Sequence, residues 1–349
     1  MTADAIAPTG PSVTRNALLA VEDLHVSYAT ERGELVAVDG VSFELAAGES
    51  LGIVGESGCG KSSMARGLMQ LLPPGARTWG SVRLDDRQLL KSKSGDLRRI
   101  RGNDLALVFQ EPMTRLNPLM RVSDHFVETV RAHHPDATRD EARERGRQAL
   151  MQVGIPPSRL DDRPHEFSGG MRQRIMIALA IVLDPRIVIA DEPTTALDVI
   201  VEAQVLDLLD GLRRTHGLGM ILITHNLSVV AETCDRVAVM YAGRIVELGD
   251  VTDVFGDPKH PYTQGLLESV ITLDTEELVS IEGSPPDLLD LNMPGCRYAP
   301  RCPILDPSCF VIDPESRDLG RGHEAACLFA KPHDQPADRP RDGAAGTTT

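Results

Sequence analysis

Eight residues constrain this chain more than any others: Gly55-Glu56-Ser57-Gly58-Cys59-Gly60-Lys61-Ser62, which fit G-x-x-x-x-G-K-[ST]. Glycines at these positions let the backbone curl until successive N–H groups face one point, and such a concavity holds an anion. The device works between a buried strand and a helix, whose N-terminal dipole adds to the field. Both neighbours are present: residues 50–54 form a short apolar run, and 61–72 have helical spacing. A strand–loop–helix unit of this kind calls for an α/β fold. In such a loop Ser57, Gly58, Cys59, Gly60 and Ser63 line the anion, Lys61 reaches the outer phosphates of a nucleotide, and the Ser62 hydroxyl ligates Mg²⁺. Cys59 reads either as a redox switch or as a small residue contributing only its N–H.

The rest of the chain supports that class. Further strands are expected at 19–26, 105–109, 187–190, 220–224 and 236–240, several of them continuous aliphatic runs of the sort buried on both faces of a parallel sheet. Helical spacing recurs at 139–153, 170–183 and 201–215. Aromatic residues are only 3% of the 349, so the core must be aliphatic. Composition places a disordered N-terminus at 1–18 and a disordered tail at 331–349. Between them lie a main domain, 19–254, with a largely helical insertion at about 111–183, and an irregular, Pro-rich extension at 255–330.

Two acids end the strand at 187–190: Asp191, placed to hold Mg²⁺, and Glu192, placed to orient and deprotonate a water. Carboxylates at the C-terminal edge of a parallel sheet sit where ligands bind. His225 follows the strand at 220–224 and reads as a phosphate sensor or as an ordinary histidine. A net charge of −15 argues against a nucleic-acid surface, and the basic run Arg98-Arg99-Ile100-Arg101 reads as a solvated face. No signal sequence is expected from the first residues. The longest apolar run, Ile175 to Leu183, is far short of the roughly 20 residues of a membrane-spanning helix.

With these residues located, the chain resembles an ABC ATPase over about residues 19–270. Phe167-Ser168-Gly169-Gly170-Met171 resembles the family's signature, with Phe for the usual Leu and Met for the usual Gln. The resemblance implies a P-loop cassette with a RecA-like, mixed but mostly parallel sheet and an inserted helical subdomain. It implies that Gln110 is the Q-loop glutamine, touching Mg²⁺ or the attacking water. Asp198 becomes the D-loop aspartate, and Tyr28 the aromatic that stacks on adenine. Two cassettes would sandwich two ATP molecules, each phosphate loop facing the other chain's Ser168, Gly169, Gly170 and Met171.

Gln110-Glu111-Pro112-Met113-Thr114-Arg115-Leu116-Asn117-Pro118 and His260-Pro261-Tyr262-Thr263 are similar to elements of the dipeptide and oligopeptide importer branch. That branch implies a second cassette from a different chain, two membrane permeases and, indirectly, an extracytoplasmic binding protein, with this subunit on the cytoplasmic face of the membrane. Alternatives are a nickel or glutathione importer, or a soluble ABC ATPase of repair or translation. The spacing Cys296-x5-Cys302-x6-Cys309-x17-Cys327 suits zinc or an iron–sulfur cluster. The branch resemblance implies a [4Fe–4S] cluster, which makes the extension a metal-binding one. His323 nearby reads as a solvated loop histidine.

Overall fold

Residues 17–109, 115–194, 197–269, 280–289, 291 and 293–333 are described by the structure, a computed structural model. Its strands in chain order are β1 (Ala17–Thr30), β2 (Gly33–Ala46), β3 (Ser50–Val54), β4 (Arg77–Leu84), β5 (Arg87–Gln88), β6 (Leu105–Val108), β7 (Ile187–Asp191), β8 (Gly219–Ile223), β9 (Arg236–Tyr241), β10 (Arg244–Asp250), β11 (Arg317–Asp318) and β12 (Glu324–Ala325). They form two sheets, one in the order β2-β1-β4-β5 and one in the order β11-β12-β10-β9-β3-β8-β7-β6. The first is antiparallel. In the second, β6, β7, β8, β3 and β9 run parallel, while β10 and β12 join antiparallel.

The aliphatic runs explain the layering. Every residue of β3, β7 and β8 is buried. Side chains alternate between faces of a strand. Ile187 and Ile189, with Ile221 and Ile223, therefore enter one core with Leu19, Phe43 and Leu84 of the antiparallel sheet. Val188 and Ala190, with Met220 and Leu222, enter the other with Phe126, Ile175 and Leu209 of the helices. A sheet covered on both faces needs no polar side, which is why these strands read as unbroken apolar runs.

Between β6 and β7 the chain forms helices Val122–His133, Arg139–Gln152 and Gly169–Ile181, the last two joined through 3₁₀ segments at Pro157–Asp161 and Pro164–Glu166. Thr138 and Glu141 close the start of the second helix with a reciprocal capping box. Gly146 lets that helix approach the first, since a Cβ there would lie 2.8 Å from the Phe126 ring.

Several expectations are corrected. The helix after the phosphate loop spans Lys61–Leu68 rather than reaching 72, because Gln70 turns left-handed at φ 52° and its side-chain amide donates to the Gly67 carbonyl. Strands β2, β4 and β10 lie outside the expected runs, and β1 starts at Ala17 rather than Leu19, so residues 17 and 18 belong to the sheet and not to a disordered N-terminus. Arg101 is not solvated: its guanidinium donates to the Met69 and Gln70 carbonyls. Nor is the region after Phe255 wholly irregular, for it contains helix Pro261–Glu268, and β12 adds to the edge of the large sheet through β10.

Candidate active site

The phosphate loop leaves β3 and is shaped by what surrounds it. Gly55, Gly58 and Gly60 take φ of 148°, 80° and 108°. A Cβ on Gly55 would lie 2.1 Å from the Met240 carbonyl oxygen, and one on Gly60 2.2 Å from that of Ala37. Two of the three glycines are therefore required by backbone packing as well as by dihedral angle. Lys61 is 5% exposed, and its ammonium donates to the Gly55 and Glu56 carbonyls at 2.7 and 2.9 Å. Cys59 is buried, and burial pushes its thiol up, so it is not the exposed, activated thiol that a redox switch needs.

Three strand ends converge beside this loop. Ser62 donates to the Asp191 carboxylate at 2.8 Å, joining the phosphate loop to the end of β7 across the intervening β8. Burial pushes the Asp191 carboxyl up, against the Ser62 bond that lowers it. A cation beside it would favour the charged form, and a hydroxyl with a carboxylate is the hard-oxygen donor set Mg²⁺ takes, so these residues fit that ion. Glu192 sits at φ 46°, a left-handed conformation uncommon for non-glycine residues, and its N–H donates to the Ile223 carbonyl. That turn takes the chain off β7 and leaves the Glu192 carboxylate 3.8 Å from His225 Nδ1, whose ring is 69% exposed. Tyr28, at the end of β1, donates to Ser63 Oγ at 3.1 Å and so borders the same helix start.

Ser168 caps the helix Gly169–Ile181, accepting from the Met171 N–H at 3.4 Å. Phe167, the unusual residue of this turn, is 2% exposed in the helical core, with the Arg159 guanidinium 4.1 Å from its ring centre. Gly170 is set by packing: a Cβ there would lie 2.4 Å from Val201 Cγ1. Val201 belongs to helix Val199–His216, which Asp198 caps by accepting from the Val201 N–H at 2.9 Å. The Ser168 turn and the Asp198 turn thus rest on each other. Gln110, with 111–114, lies outside the described residues.

The C-terminal part brings its four cysteines together. Cys296, Cys302, Cys309 and Cys327, all free thiols, line one cavity of about 10 Å³ walled by Tyr298 and Phe329. Burial pushes the Cys296 and Cys302 thiols up. Among the described residues, however, no three His, Cys, Asp or Glu side chains are arranged to hold a metal ion. The four cysteines border one cavity without the arrangement that would gather them on a single ion. His323 is corrected outright. It is fully buried, with Nε2 2.7 Å from Glu247 and Nδ1 2.8 Å from His333 Nε2. Glu247, itself 1% exposed, also accepts from the Lys259 and His260 N–H groups. This polar knot ties the β11–β12 turn to β10 and to the start of helix Pro261–Glu268. Its polar neighbours gave no hint of it, because the partner lies 76 positions away.

A phosphate loop, an Asp-Glu strand end and a serine-capped glycine turn on a mixed sheet with a helical insertion define an ATP-binding cassette. Solved cassettes share the fold. A dimeric post-hydrolysis structure of the cassette MJ0796 with ADP and Pi matches at TM-score 0.59 and 25% identity, over 67% of this chain and 98% of that one. The structure of cbiO1 from Clostridium perfringens matches at 0.58 and 29%, over 69% and 92%. The ABC transporter family model matches residues 38–195, and that for the oligopeptide/dipeptide transporter C-terminal region matches 246–309. The dipeptide transport ATP-binding protein DppD of Bacillus subtilis is 46% identical over 316 residues, 89% of this chain and 94% of that protein. The oligopeptide transport ATP-binding protein OppD of Escherichia coli is 48% identical over 317 residues, 90% and 93%. OppD of Mycobacterium tuberculosis is 46% identical over 89% of this chain, which spans only 52% of that longer relative. This chain belongs to the ATP-binding subunits of the oligopeptide and dipeptide ABC transporters.

Proposed function

We propose that this chain binds and hydrolyses ATP to power uptake of di- and oligopeptides across the cytoplasmic membrane. The observation that carries the reading is the 2.8 Å bond between Ser62 and Asp191, which joins a phosphate-loop hydroxyl to the carboxylate strand and sets Glu192 and His225 beside it. The N–H groups of residues 57–63 and the Lys61 ammonium hold the phosphates, and Tyr28 stacks on the base. Ser62 and Asp191, with Gln110, hold Mg²⁺, which neutralises charge on the phosphates when bound. Glu192 takes the proton of the attacking water and His225 contacts the terminal phosphate.

The Ser168 turn, with Gly169, Gly170 and Met171, serves the nucleotide of a second cassette, and Asp198 crosses at the same junction. Ser168 is exposed, and beside it Val199 and Ile200 are 80% and 72% exposed, large apolar side chains that contact with another chain would cover. Among the described residues no helix is long and apolar enough to cross a membrane. In this reading two permease subunits pass the cargo, with this chain docked on their cytoplasmic face. The units are a cassette over 19–254, its helical subdomain at about 111–183, and an extension over 255–330.

The four cysteines would hold a [4Fe–4S] cluster, with zinc the second candidate. Four thiols around one apolar-walled cavity are a suitable donor set, and a cluster spreads its sulfurs over several irons where a single ion gathers them at one point. Iron and zinc content of anaerobically purified protein separates the two.

Glu192→Gln tests the central role. In a complex whose other cassette is also disabled, it should retain ATP and lose at least about 100-fold in turnover, the usual scale for removing a general base. Hydrolysis at the unaltered rate would remove Glu192 from the chemistry.

A further inference from the structure

None of these roles uses Glu56, the second residue of the phosphate loop, yet it is among the most firmly held. Its N–H donates to the Tyr262 hydroxyl oxygen at 2.9 Å. Its carbonyl accepts from Lys61 Nζ at 2.9 Å. Its carboxylate accepts two parallel bonds from Arg301, Nη1 to Oε2 at 2.7 Å and Nη2 to Oε1 at 3.0 Å. Such a fork fixes orientation as well as distance.

Both outside partners come from the C-terminal region, and both are themselves fixed. The Arg301 side chain is 5% exposed, and its Nε donates to the Glu282 carbonyl at 2.9 Å. Tyr262 is fully buried, with ring centres of Tyr241 and Tyr298 at 4.6 and 5.5 Å. The ammonium of Lys61 is therefore seated on a carbonyl whose position is set by residues more than 200 positions away.

We propose that Arg301 and Tyr262 are positioning residues for ATP: by fixing Glu56 they hold the phosphate loop and Lys61 in the geometry that receives the phosphates, so the C-terminal region sets nucleotide affinity. This rests on the reading of the loop as the ATP site. A region that merely docks on the cassette would behave differently. Arg244 provides that contrast, because it joins the same region to the sheet, bonding Asp313 at 2.7 and 2.6 Å and Asp39 at 2.9 Å, without touching the loop.

The experiment uses the full chain in its intact transporter, with radiolabelled ATP as the probe. It measures the dissociation constant for ATP, KM and kcat, and the melting temperature. Arg301→Ala should raise the dissociation constant and KM about tenfold, the scale of a lost charged hydrogen bond, with kcat within about twofold. Arg301→Lys should recover only part, since it keeps the charge but not the fork. Tyr262→Phe removes one hydroxyl and should raise the dissociation constant about threefold, which keeps the test open if Arg301→Ala does not fold. Arg301→Ala combined with Glu56→Ala should be no worse than the poorer single change, because the two act through one contact. Arg244→Ala should lower the melting temperature and leave ATP affinity alone. Additive effects of Arg301→Ala and Glu56→Ala would overturn the proposal, as would ATP affinity unchanged in both Arg301→Ala and Tyr262→Phe. If the unaltered transporter bound no ATP, the nucleotide reading itself would fall, and this inference with it.

Discussion

The phosphate loop and the Ser168 turn are both glycine-rich turns at a helix start, and they are supported in opposite ways. The loop is backed firmly, though Ser57 and Gly58 are exposed: two of its glycines back onto carbonyl oxygens, Lys61 is 5% exposed, and Glu56 is pinned at its N–H, its carbonyl and its side chain. The Ser168 turn is exposed at Ser168 and Gly169, where Ser168 makes a 3.4 Å capping bond, and it draws its support from beneath, through buried Phe167, whose carbonyl accepts from Arg172 Nε at 2.9 Å, and the contact of Gly170 with Val201. A site braced at several of its residues by buried groups is organised before its ligand arrives. A site braced only from below is finished by whatever meets its open face. Contact with a second cassette, as proposed above, would account for that asymmetry.

The largest expected effect follows from the firmly backed phosphate loop. In Gly60→Ala the new Cβ meets a backbone oxygen that cannot step aside, and φ of 108° is strained for any L side chain. The variant should lose ATP binding and about 3 kcal/mol or more of stability. Gly58→Ala, where φ is 80° but the space is open, should cost only about 1–2 kcal/mol. Urea unfolding with ATP titration checks both. A Gly60→Ala protein that binds ATP normally would show that the loop is not rigidly backed.

Gly170→Ala probes the open site. Its Cβ meets the γ-methyl of a β-branched valine, which has little rotamer freedom in a helix, so the Ser168 turn must lift away from the Asp198 helix. Overpacking of this kind costs about 1–3 kcal/mol. ATP affinity should change less than about twofold, whereas turnover of the assembled transporter should fall about tenfold. Equal losses in both would mean the two sites are not supported independently.

What the sequence showed and what it hid divide along the same physical line. The phosphate loop was legible because its chemistry lies in eight consecutive residues, and β3, β7 and β8 because five buried residues in a row leave an unbroken apolar run. β4 was not, since only Val82 and Leu84 of its eight residues are buried. Helix Val122–His133 could be expected only as part of a helical stretch. Ser62 and Asp191 were each nameable from local pattern, but their meeting was not. The bracing of Glu56 by Arg301 joins residues 245 positions apart, and no periodicity or motif encodes such a contact. Burial of His323 was invisible for the same reason. Short-range signals reveal groups, whereas the fold alone reveals which groups share a space.

The smallest expected effect contrasts the two arginine forks that support these sites. Arg301 grips Glu56 from a buried side chain, but Arg143 grips Asp161 on a surface where the carboxylate is 44% exposed. Asp161 also accepts from Ser123, so it ties helices Val122–His133 and Arg139–Gln152 to the 3₁₀ turn leading toward Ser168. The Arg143 guanidinium holds its carboxyl down to about 2, below the ordinary 3.8 of an unfolded chain. The folded state therefore binds fewer protons than the unfolded one across that window. Its contribution is full above about pH 4 and is lost as pH falls toward 2. Solvent screens so exposed a pair, which limits the contribution to under about 1 kcal/mol. Urea midpoints of Asp161→Asn should thus lie slightly below those of the unaltered protein at pH 6. The gap should narrow on acidification and also in molar salt, where the Debye length is only about 3 Å. A gap that neither acid nor salt reduced would place Asp161 in a packed role, and the support of the Ser168 turn would then be as rigid as that of the phosphate loop.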